Sequence, residues 1–217
     1  MTETGEKTRL RYDEGCLGAH ALNVIGDRWA LLVVRELMFA PRRFQAIRSG
    51  LPGITAGVLT QRLRHLIAEG VVLQLPDLGA YALTASGRGL MPVLQAMCRW
   101  GAQHPGHDPR RFISPTALMI SMTAMIDPGA ARGQIAVAGF RSGNDGFIQR
   151  LGSDGILRVE TAYEIEAPFV LEGDGNALAR AVYGPAPIAA LAADGVISLT
   201  GDAVAAQDFV GLFDLRR

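Results

Sequence analysis

The sequence predicts two consecutive domains: a mainly helical one over residues 1–111, including a linker, and an α+β one over residues 112–217. Apolar residues recur at helical spacing in the first half, whereas short β-branched runs between glycine-rich turns dominate the second. Between them, GAQHPGHDPRRF (101–112) is polar and holds two prolines and two glycines, which is typical of a linker. Since 49% of the 217 residues are hydrophobic, each half can bury a core of its own.

The charge is unevenly distributed along the chain, although its net value is zero. Residues 1–111 carry 14 basic and 9 acidic residues, a net of +5, and residues 112–217 carry 7 and 12, a net of −5. Such asymmetry indicates a nucleic-acid-binding module joined to a different domain, although a difference of this size also arises by chance.

Several classes of protein are disfavoured by what the sequence contains. The first residues are polar rather than signal-like, and the apolar run WALLVV (29–34) is too short for a membrane span, so we expect a soluble cytoplasmic protein. Cys16 and Cys98 are too few for a disulfide scaffold or a cysteine metal cluster. The common hydrolase, phosphate-loop and zinc motifs are missing, and all four histidines lie at or before residue 107. We therefore expect neither an enzyme, nor a metal site, nor a cofactor.

Three helices are predicted in succession in the first half. GDRWALLVVRELMF (26–39) is apolar nearly all round, which places it at the centre of the domain, with Asp27 as its cap. A short helix follows at about 42–48, then LPGI (51–54) forms a turn. Thr55 caps a third helix that runs to about Glu69, and Gly70 ends it. Helix, glycine turn, helix is the helix-turn-helix arrangement.

The third helix has two contrasting faces. Leu59, Leu63, Leu66 and Ile67 share one face, and Gln61 and Arg64 lie opposite. Arginine and glutamine are suited to paired hydrogen bonds with guanine and adenine in a major groove. The other interpretation of this helix alone is an ordinary surface helix with solvated polar residues.

A strand, turn and strand follow directly, over VVLQL (71–75), PDLG (76–79) and AYALT (80–84), and Ser86 opens a long helix to about Trp100. A hairpin in this place is the wing of a winged helix. Unusually, residues 66–87 contain no Lys or Arg, and Asp77 occupies the tip. The cations that contact the phosphate backbone must therefore come from elsewhere in the domain.

Residues 16–104 resemble the HxlR-type family of winged-helix transcription regulators. The resemblance rests on an ordered set of motifs: Cys16, GDRW (26–29), LLVVREL (31–37), PRRF (41–44), LPGIT (51–55), VLTQRLRHL (58–66), GVV (70–72), YALT (81–84), Gly87, PVL (92–94) and Trp100-Gly101. It implies a homodimer whose contact uses the N-terminal segment and the helix near 86–104. It also implies that the helix at 55–68 is the recognition helix for double-stranded DNA. The predicted DNA-binding residues are Arg42, Arg43, Thr55, Ala56, Gly57, Thr60, Gln61, Arg62 and Arg64.

The second half is predicted to be an antiparallel-rich sheet with packed helices. Ser114-Pro115 begins a helix to about Ile126, and strands are expected at 134–140, 146–151, 156–166 and 196–200, with helices near 176–182 and 203–213. The order of ALARAVYG (177–184), AALAADGVISLTGD (189–202) and FVGLF (209–213) resembles the sterol-carrier-protein-like domain. That resemblance implies an apolar tunnel for a hydrophobic small molecule. Its predicted lining, for which plain core packing is the alternative, is Met119, Met122, Met125, Phe140, Phe147, Phe169, Tyr183 and Phe209.

Cys16 lies where the HxlR-type family often has a cysteine, and some relatives use that residue to sense oxidants or electrophiles. A helix beginning just after it lowers the pKa of a thiol, whereas the alternative is a small residue buried in the dimer contact. Cys98 lies among apolar residues and is expected in the core.

The sequence as a whole predicts a DNA-binding homodimeric regulator, a repressor, modulated by a hydrophobic small molecule in the C-terminal domain. One alternative is a lipid or acyl carrier that uses the helical half only for dimerisation. The other is a cysteine-based redox regulator with a structural C-terminal domain.

Overall fold

The computed structural model describes residues 11–215. Its N-terminal half is a set of short helices around a small antiparallel sheet with strand order β1-β3-β2. In chain order the elements are α1 (Leu17–Ile25), α2 (Ala30–Glu36), β1 (Arg42–Arg43), α3 (Phe44–Ser49), α4 (Ala56–Ala68), β2 (Val72–Leu75), β3 (Ala80–Leu83), α5 (Ala85–Arg88) and α6 (Met91–Gln103). The β2–β3 hairpin directly after α4 is the predicted wing.

The central helix lies where the sequence predicts it, but it is shorter than residues 26–39. Ala30, Val33 and Val34 of α2 are fully buried. Asp27 accepts a hydrogen bond from the backbone N–H of Trp29 at 2.9 Å, yet the residue at the N-cap is Trp29. Asp27 therefore forms a local turn before α2 rather than capping it.

Two other helix predictions change in their boundaries. The helix expected at 42–48 begins at Phe44, because Arg42 and Arg43 form β1 and pair with β3. The long helix expected from Ser86 is divided into α5 and α6 around Gly89 and Leu90. Pro92 has no N–H to donate to the carbonyl of Arg88, so the first helix ends and a second begins.

The C-terminal half is a five-stranded sheet with helices, and it contains α7 (Pro115–Met125), α8 (Pro128–Ala131), β4 (Ala136–Ser142), β5 (Asp145–Leu151), β6 (Leu157–Thr161), β7 (Phe169–Glu172), α9 (Gly175–Tyr183), α10 (Ile188–Ala193), β8 (Ser198–Gly201) and α11 (Ala203–Val210). The strand order is β6-β5-β4-β7-β8. β4 and β7 run parallel and the other neighbours antiparallel, so the predicted antiparallel-rich α+β class is observed. Ser114 caps α7 by accepting from the N–H of Ala117.

The sequence pattern missed three elements of this half and extended a fourth. α8, β7 and α10 were not predicted, since each is only four to six residues long. The strand predicted to reach residue 166 ends at Thr161. Beyond it the chain crosses the sheet, and Ile165 packs where Gly139 and Gly146 leave no side chain in its way.

The two halves meet in an extensive packed junction. α7 lies against α2 and α6, and its Ile120 belongs to the N-terminal core. Phe39, in the segment after α2, meets Phe147 edge to face with ring centroids 6.2 Å apart. Gln95 of α6 donates to Thr123 of α7 at 3.0 Å. Residues 101–103 of the predicted linker belong to the end of α6, and the remaining segment joins two domains whose apolar cores share side chains.

Candidate nucleic-acid interface

The structure presents α4 as a capped helix with one free face. Thr55 accepts a hydrogen bond from the N–H of Val58 at 3.3 Å, which satisfies one of the donors that a helix start leaves open. Gly53 has φ +87°, a left-handed conformation that favours glycine, and it turns the chain between α3 and α4. Leu59, Leu63 and Leu66 are buried and attach α4 to the core.

The exposed face of α4 carries most of the residues that the sequence assigned to DNA. Thr55, Ala56, Gly57, Gln61 and Arg64 are all exposed, and a Cβ added at Gly57 would meet no atom within 4 Å. Thr60 is half-buried, and its hydroxyl donates to the carbonyl of Ala56 at 2.9 Å. The exposed side chains of α4 are thus small near its N-terminus, and an amide and a guanidinium follow about one turn later.

Arg62 is a correction to the sequence interpretation. Its side chain is 8% exposed, and its Nη2 lies 3.0 Å from Oδ2 of Asp27 in the turn before α2. Arg62 follows Leu59 by three residues and precedes Leu66 by four, so it belongs to the buried stripe rather than its flank. That spacing was readable from the sequence, although the partner carboxylate was not. We therefore remove Arg62 from the expected DNA contacts.

Arg42 is the second correction, and its neighbour Arg43 shows the physical reason. Successive side chains of a strand point to opposite sides, and in β1 this sends Arg42 inward and leaves Arg43 exposed. Nη1 and Nη2 of Arg42 both lie 3.1 Å from Oδ2 of Asp145, and Nη2 also donates to Thr116 at 3.0 Å. Arg42 joins the two domains, whereas the side chain of Arg43 is exposed.

Three further arginines of this half are exposed: Arg48 at the end of α3, Arg28 in the turn before α2 and Arg88 at the end of α5. The wing adds no cation; its tip exposes Asp77 and the apolar side chain of Leu78. The positive charge of the candidate interface therefore comes from α3, α4 and β1.

The comparisons with known proteins agree with this geometry. The family model of HxlR-like helix-turn-helix proteins matches residues 24–109. A relative from Methanothermobacter thermautotrophicus, described as an uncharacterized HTH-type transcriptional regulator, is 35% identical over 92 residues, which cover 40% of this chain and 70% of the relative. A regulator of the same description from Synechocystis sp. is 36% identical over 107 residues, covering 47% of this chain and 79% of the relative.

The chain belongs to the HxlR-like helix-turn-helix family. It is accordingly a transcriptional regulator of HxlR type, and the resemblance drawn from its motifs is confirmed for this half. Among solved structures, quinone-bound YodB from Bacillus subtilis is 33% identical with a TM-score of 0.36, covering 39% of this chain and 94% of YodB. These matches each span less than half of the regulator described here.

The HxlR-type regulator exposes apolar side chains on two of its helices. Leu17 and Leu22 of α1 are 85% and 51% exposed, and Met97 and Trp100 of α6 are 48% and 67% exposed. Val93 lies one turn before Met97 and is also exposed. These are the two segments to which the family resemblance assigns the dimer contact.

The two cysteines of the regulator have opposite environments. Cys16 is exposed at the N-cap of α1, where the backbone N–H groups of Ala19 and Gly18 in the first turn lower the pKa of its thiol. Burial raises the pKa of the Cys98 thiol, which packs against the N-terminal core as expected. The pKa of the Cys16 thiol is thus shifted in the direction that its position before a helix predicts.

The residues predicted to line an apolar tunnel fill the core of the C-terminal domain instead. Met119, Met122, Phe140, Phe147, Phe169 and Phe209 are at most 2% exposed and belong to a single packed cluster, and Met125 is buried as well. Tyr183 lies at the edge of this cluster, where its hydroxyl and that of Ser121 are 2.6 Å apart, and burial raises the pKa of Tyr183. The helices lie close enough to the sheet for these side chains to pack on one another, so plain core packing is the observed role.

Gln149 is the polar exception within that core. It is fully buried, and its Nε2 donates to the sulfurs of Met119 and Met122 at 3.1 and 3.4 Å. Glu36 is the corresponding exception at the junction; it accepts from Arg35 at 2.8 Å and from Ser114 at 2.7 Å. Burial raises the pKa of Glu36, and the nearby arginines oppose that rise.

Proposed function

We propose that this HxlR-type regulator binds double-stranded DNA sequence-specifically with α4 in the major groove. The observation that carries the proposal is the exposed face of α4, where Gln61 and Arg64 project from a helix whose other face is buried. In that position Arg64 reads guanine and Gln61 reads adenine, because both side chains can form paired hydrogen bonds with those bases. Arg43 contacts phosphate and positions the protein without reading sequence.

The proposed functional unit is a homodimer assembled through α1 and α6. This proposal is supported by the exposed apolar surface of Leu17, Leu22, Met97 and Trp100. Burying such surface against a second copy removes it from water, which is favourable. A twofold dimer places two copies of α4 on successive turns of the duplex, about 34–36 Å apart. Met97→Glu should therefore shift the molar mass measured by light scattering toward the monomer and weaken operator binding.

The proposed sign of regulation is repression, since a dimer seated on promoter DNA excludes polymerase by occupancy alone. The C-terminal domain is proposed to respond to a small-molecule effector. Its firm junction with the DNA-binding domain supports this, because Arg42, Phe39 and Glu36 each contact a residue beyond 111. Such coupling between ligand and DNA needs only about 1–3 kcal/mol.

Binding to the regulator's own promoter region tests the main proposal. We expect a preference over random DNA and a steep loss of affinity with salt, with a slope of about 0.9 per phosphate contact. Arg64→Ala and Gln61→Ala should reduce the preference, each by about 1–3 kcal/mol, while Arg43→Ala should weaken binding to both DNAs equally. Equal losses on both DNAs for all three variants would reject the assignment of roles to α4.

A redox-sensing regulator is the second proposal, and the exposed Cys16 with its lowered pKa favours it. Operator binding measured before and after treatment with diamide separates the two proposals. A loss of binding that Cys16→Ser prevents supports thiol sensing; identical behaviour of wild type and Cys16→Ser excludes it. The lipid-carrier alternative is not favoured, because its candidate lining residues are packed in the core.

A further inference from the structure

A cleft of about 270 Å³ opens where the two domains of the regulator meet. Its wall comes from three parts of the chain: α2 with the turn before it, residues 50–52 between α3 and α4, and residues 112–117 at the start of the C-terminal domain. None of the residues proposed for DNA binding, for the dimer contact or for thiol sensing lines this cleft. Its position means that an occupant would touch both domains at once.

The apolar part of the lining includes two aromatic side chains. Trp29, Leu32, Pro52 and Phe112 contribute to it, and Phe112 leaves 55% of its surface exposed. Aromatic side chains provide flat surfaces against which a second ring can stack. An apolar ring held at the mouth of a cleft therefore favours a flat, partly apolar occupant.

The charged part of the lining is entirely basic among the described residues. Arg28 lies with its guanidinium carbon 4.8 Å from the centroid of the Trp29 ring, and no described carboxylate pairs with it. Arg35 donates through Nε to Glu36 and through Nη2 to the carbonyl of Gly50, which uses two of its five N–H groups. The cleft thus offers guanidinium donors beside aromatic surface, and this combination suits a planar carboxylate.

The size of the cleft limits the occupant to a small molecule. An engineered cavity of roughly 150 Å³ is known to hold one benzene molecule. A volume of about 270 Å³ therefore accommodates a single aromatic ring with a carboxylate and leaves little room for a second ring. We propose that this cleft is an effector site for a small aromatic carboxylate, held by Arg28 and Arg35 against Trp29 and Phe112.

The cleft is placed to affect DNA binding, and this part of the inference rests on the proposed function. Pro52 belongs to the turn that leads into Thr55, the cap of α4, while the bond from Arg35 to Gly50 holds the start of that turn. A ligand bridging this turn and Phe112 changes how the N-terminus of α4 is held relative to the C-terminal domain. An effect on operator affinity requires that the ligand prefer one of the two arrangements.

Calorimetric titration of the DNA-free, full-length protein with benzoate tests the site directly. We expect saturable binding, weaker binding of the neutral analogue benzamide, and a loss of about tenfold or more in Arg28→Gln, the order expected when a hydrogen bond to a charged group is removed. Phe112→Ala should also weaken benzoate binding, and since both residues are exposed, neither change threatens folding. Arg132→Gln is the matched control, because Arg132 is also exposed and lies outside the cleft.

The outcomes are separable from those of the DNA-binding proposal. Undetectable benzoate binding, or equal binding by wild type and Arg28→Gln, overturns the effector site whatever the protein does with DNA. Operator affinity is then measured with and without saturating benzoate, and a change of about 5–150-fold is expected. An unchanged affinity overturns the regulatory role of the cleft. A protein that binds benzoate as described but binds no DNA supports the site while refuting the proposed function.

Discussion

Replacing Arg62 by alanine tests the most consequential difference between a role predicted from the sequence, a DNA contact, and the role observed in the structure, a buried ion pair. In the structure Arg62 is buried and pairs with Asp27, so its loss should destabilise the protein rather than remove a DNA contact. Removing one partner of a fully buried pair costs about 3–5 kcal/mol. Because the side chain of Asp27 is 27% exposed and water solvates part of its charge, we expect about 2–3 kcal/mol here.

That loss is large enough to measure in two ways. For a protein of this size a change of 1 kcal/mol moves the melting temperature by about 2–4 °C, so Arg62→Ala should melt roughly 4–12 °C lower than wild type. In urea denaturation followed by circular dichroism, the midpoint concentration should fall in proportion to the lost free energy of unfolding.

Arg64→Ala is the matched control on the same helix. It removes the same charge from an exposed position, so its stability should stay within about 0.5 kcal/mol of wild type. Its operator affinity should fall by more than that of folded Arg62→Ala, because only Arg64 faces the groove in the proposed complex. The reasoning is refuted if Arg62→Ala keeps the wild-type midpoint and loses as much operator affinity as Arg64→Ala.

Three further predictions address other parts of the molecule. The raised pKa of Glu36 means that the folded state holds the proton of this carboxyl more tightly than the unfolded state does. The contribution of Glu36 to the free energy of unfolding is therefore complete below about pH 4.5 and is lost as the pH rises through its folded-state pKa. Glu36→Gln should keep an acceptor for Ser114 and flatten that slope in urea midpoints measured from pH 4.5 upward; a slope equal to wild type would contradict it. Phe39→Ala should cost about 2–3 kcal/mol, less than a fully buried phenylalanine, and an unchanged melting temperature would argue against the domain junction. Iodoacetamide should alkylate Cys16 faster than Cys98 at neutral pH, since Cys16 is exposed and has a lowered thiol pKa. Mass spectrometry of the peptides measures the two rates, and the reverse order would contradict the environments described for the two cysteines.

Much of the N-terminal half was predictable because its signals are local. Thr55 caps α4 through a bond to a residue three positions away, and Gly53 supplies a conformation that its neighbours cannot easily adopt. The buried stripe of α4 follows from helical spacing alone. The α7 cap at Ser114 is equally local and was predicted for the same reason.

The C-terminal domain shows where local patterns were insufficient. Its fold class was predicted, but the parallel pairing of β4 with β7 joins segments that lie about 30 residues apart in the chain, and β7 itself is only four residues long. The methionines and phenylalanines were correctly identified as apolar side chains with a common environment. Whether they surround a cavity or fill it depends on how closely helices and sheet approach each other, and residue type does not determine that distance.

The sequence by itself determined the helix-turn-helix, the wing and α4 with its exposed Gln61 and Arg64, since each depends on contacts within a few residues. Only the tertiary structure decided which arginines remain available for DNA. Arg42 is taken by Asp145, 103 residues further along the chain, and Arg62 by Asp27, which belongs to another element. A guanidinium has the same chemistry at all of these positions, and its role depends on whether folding brings a carboxylate within reach.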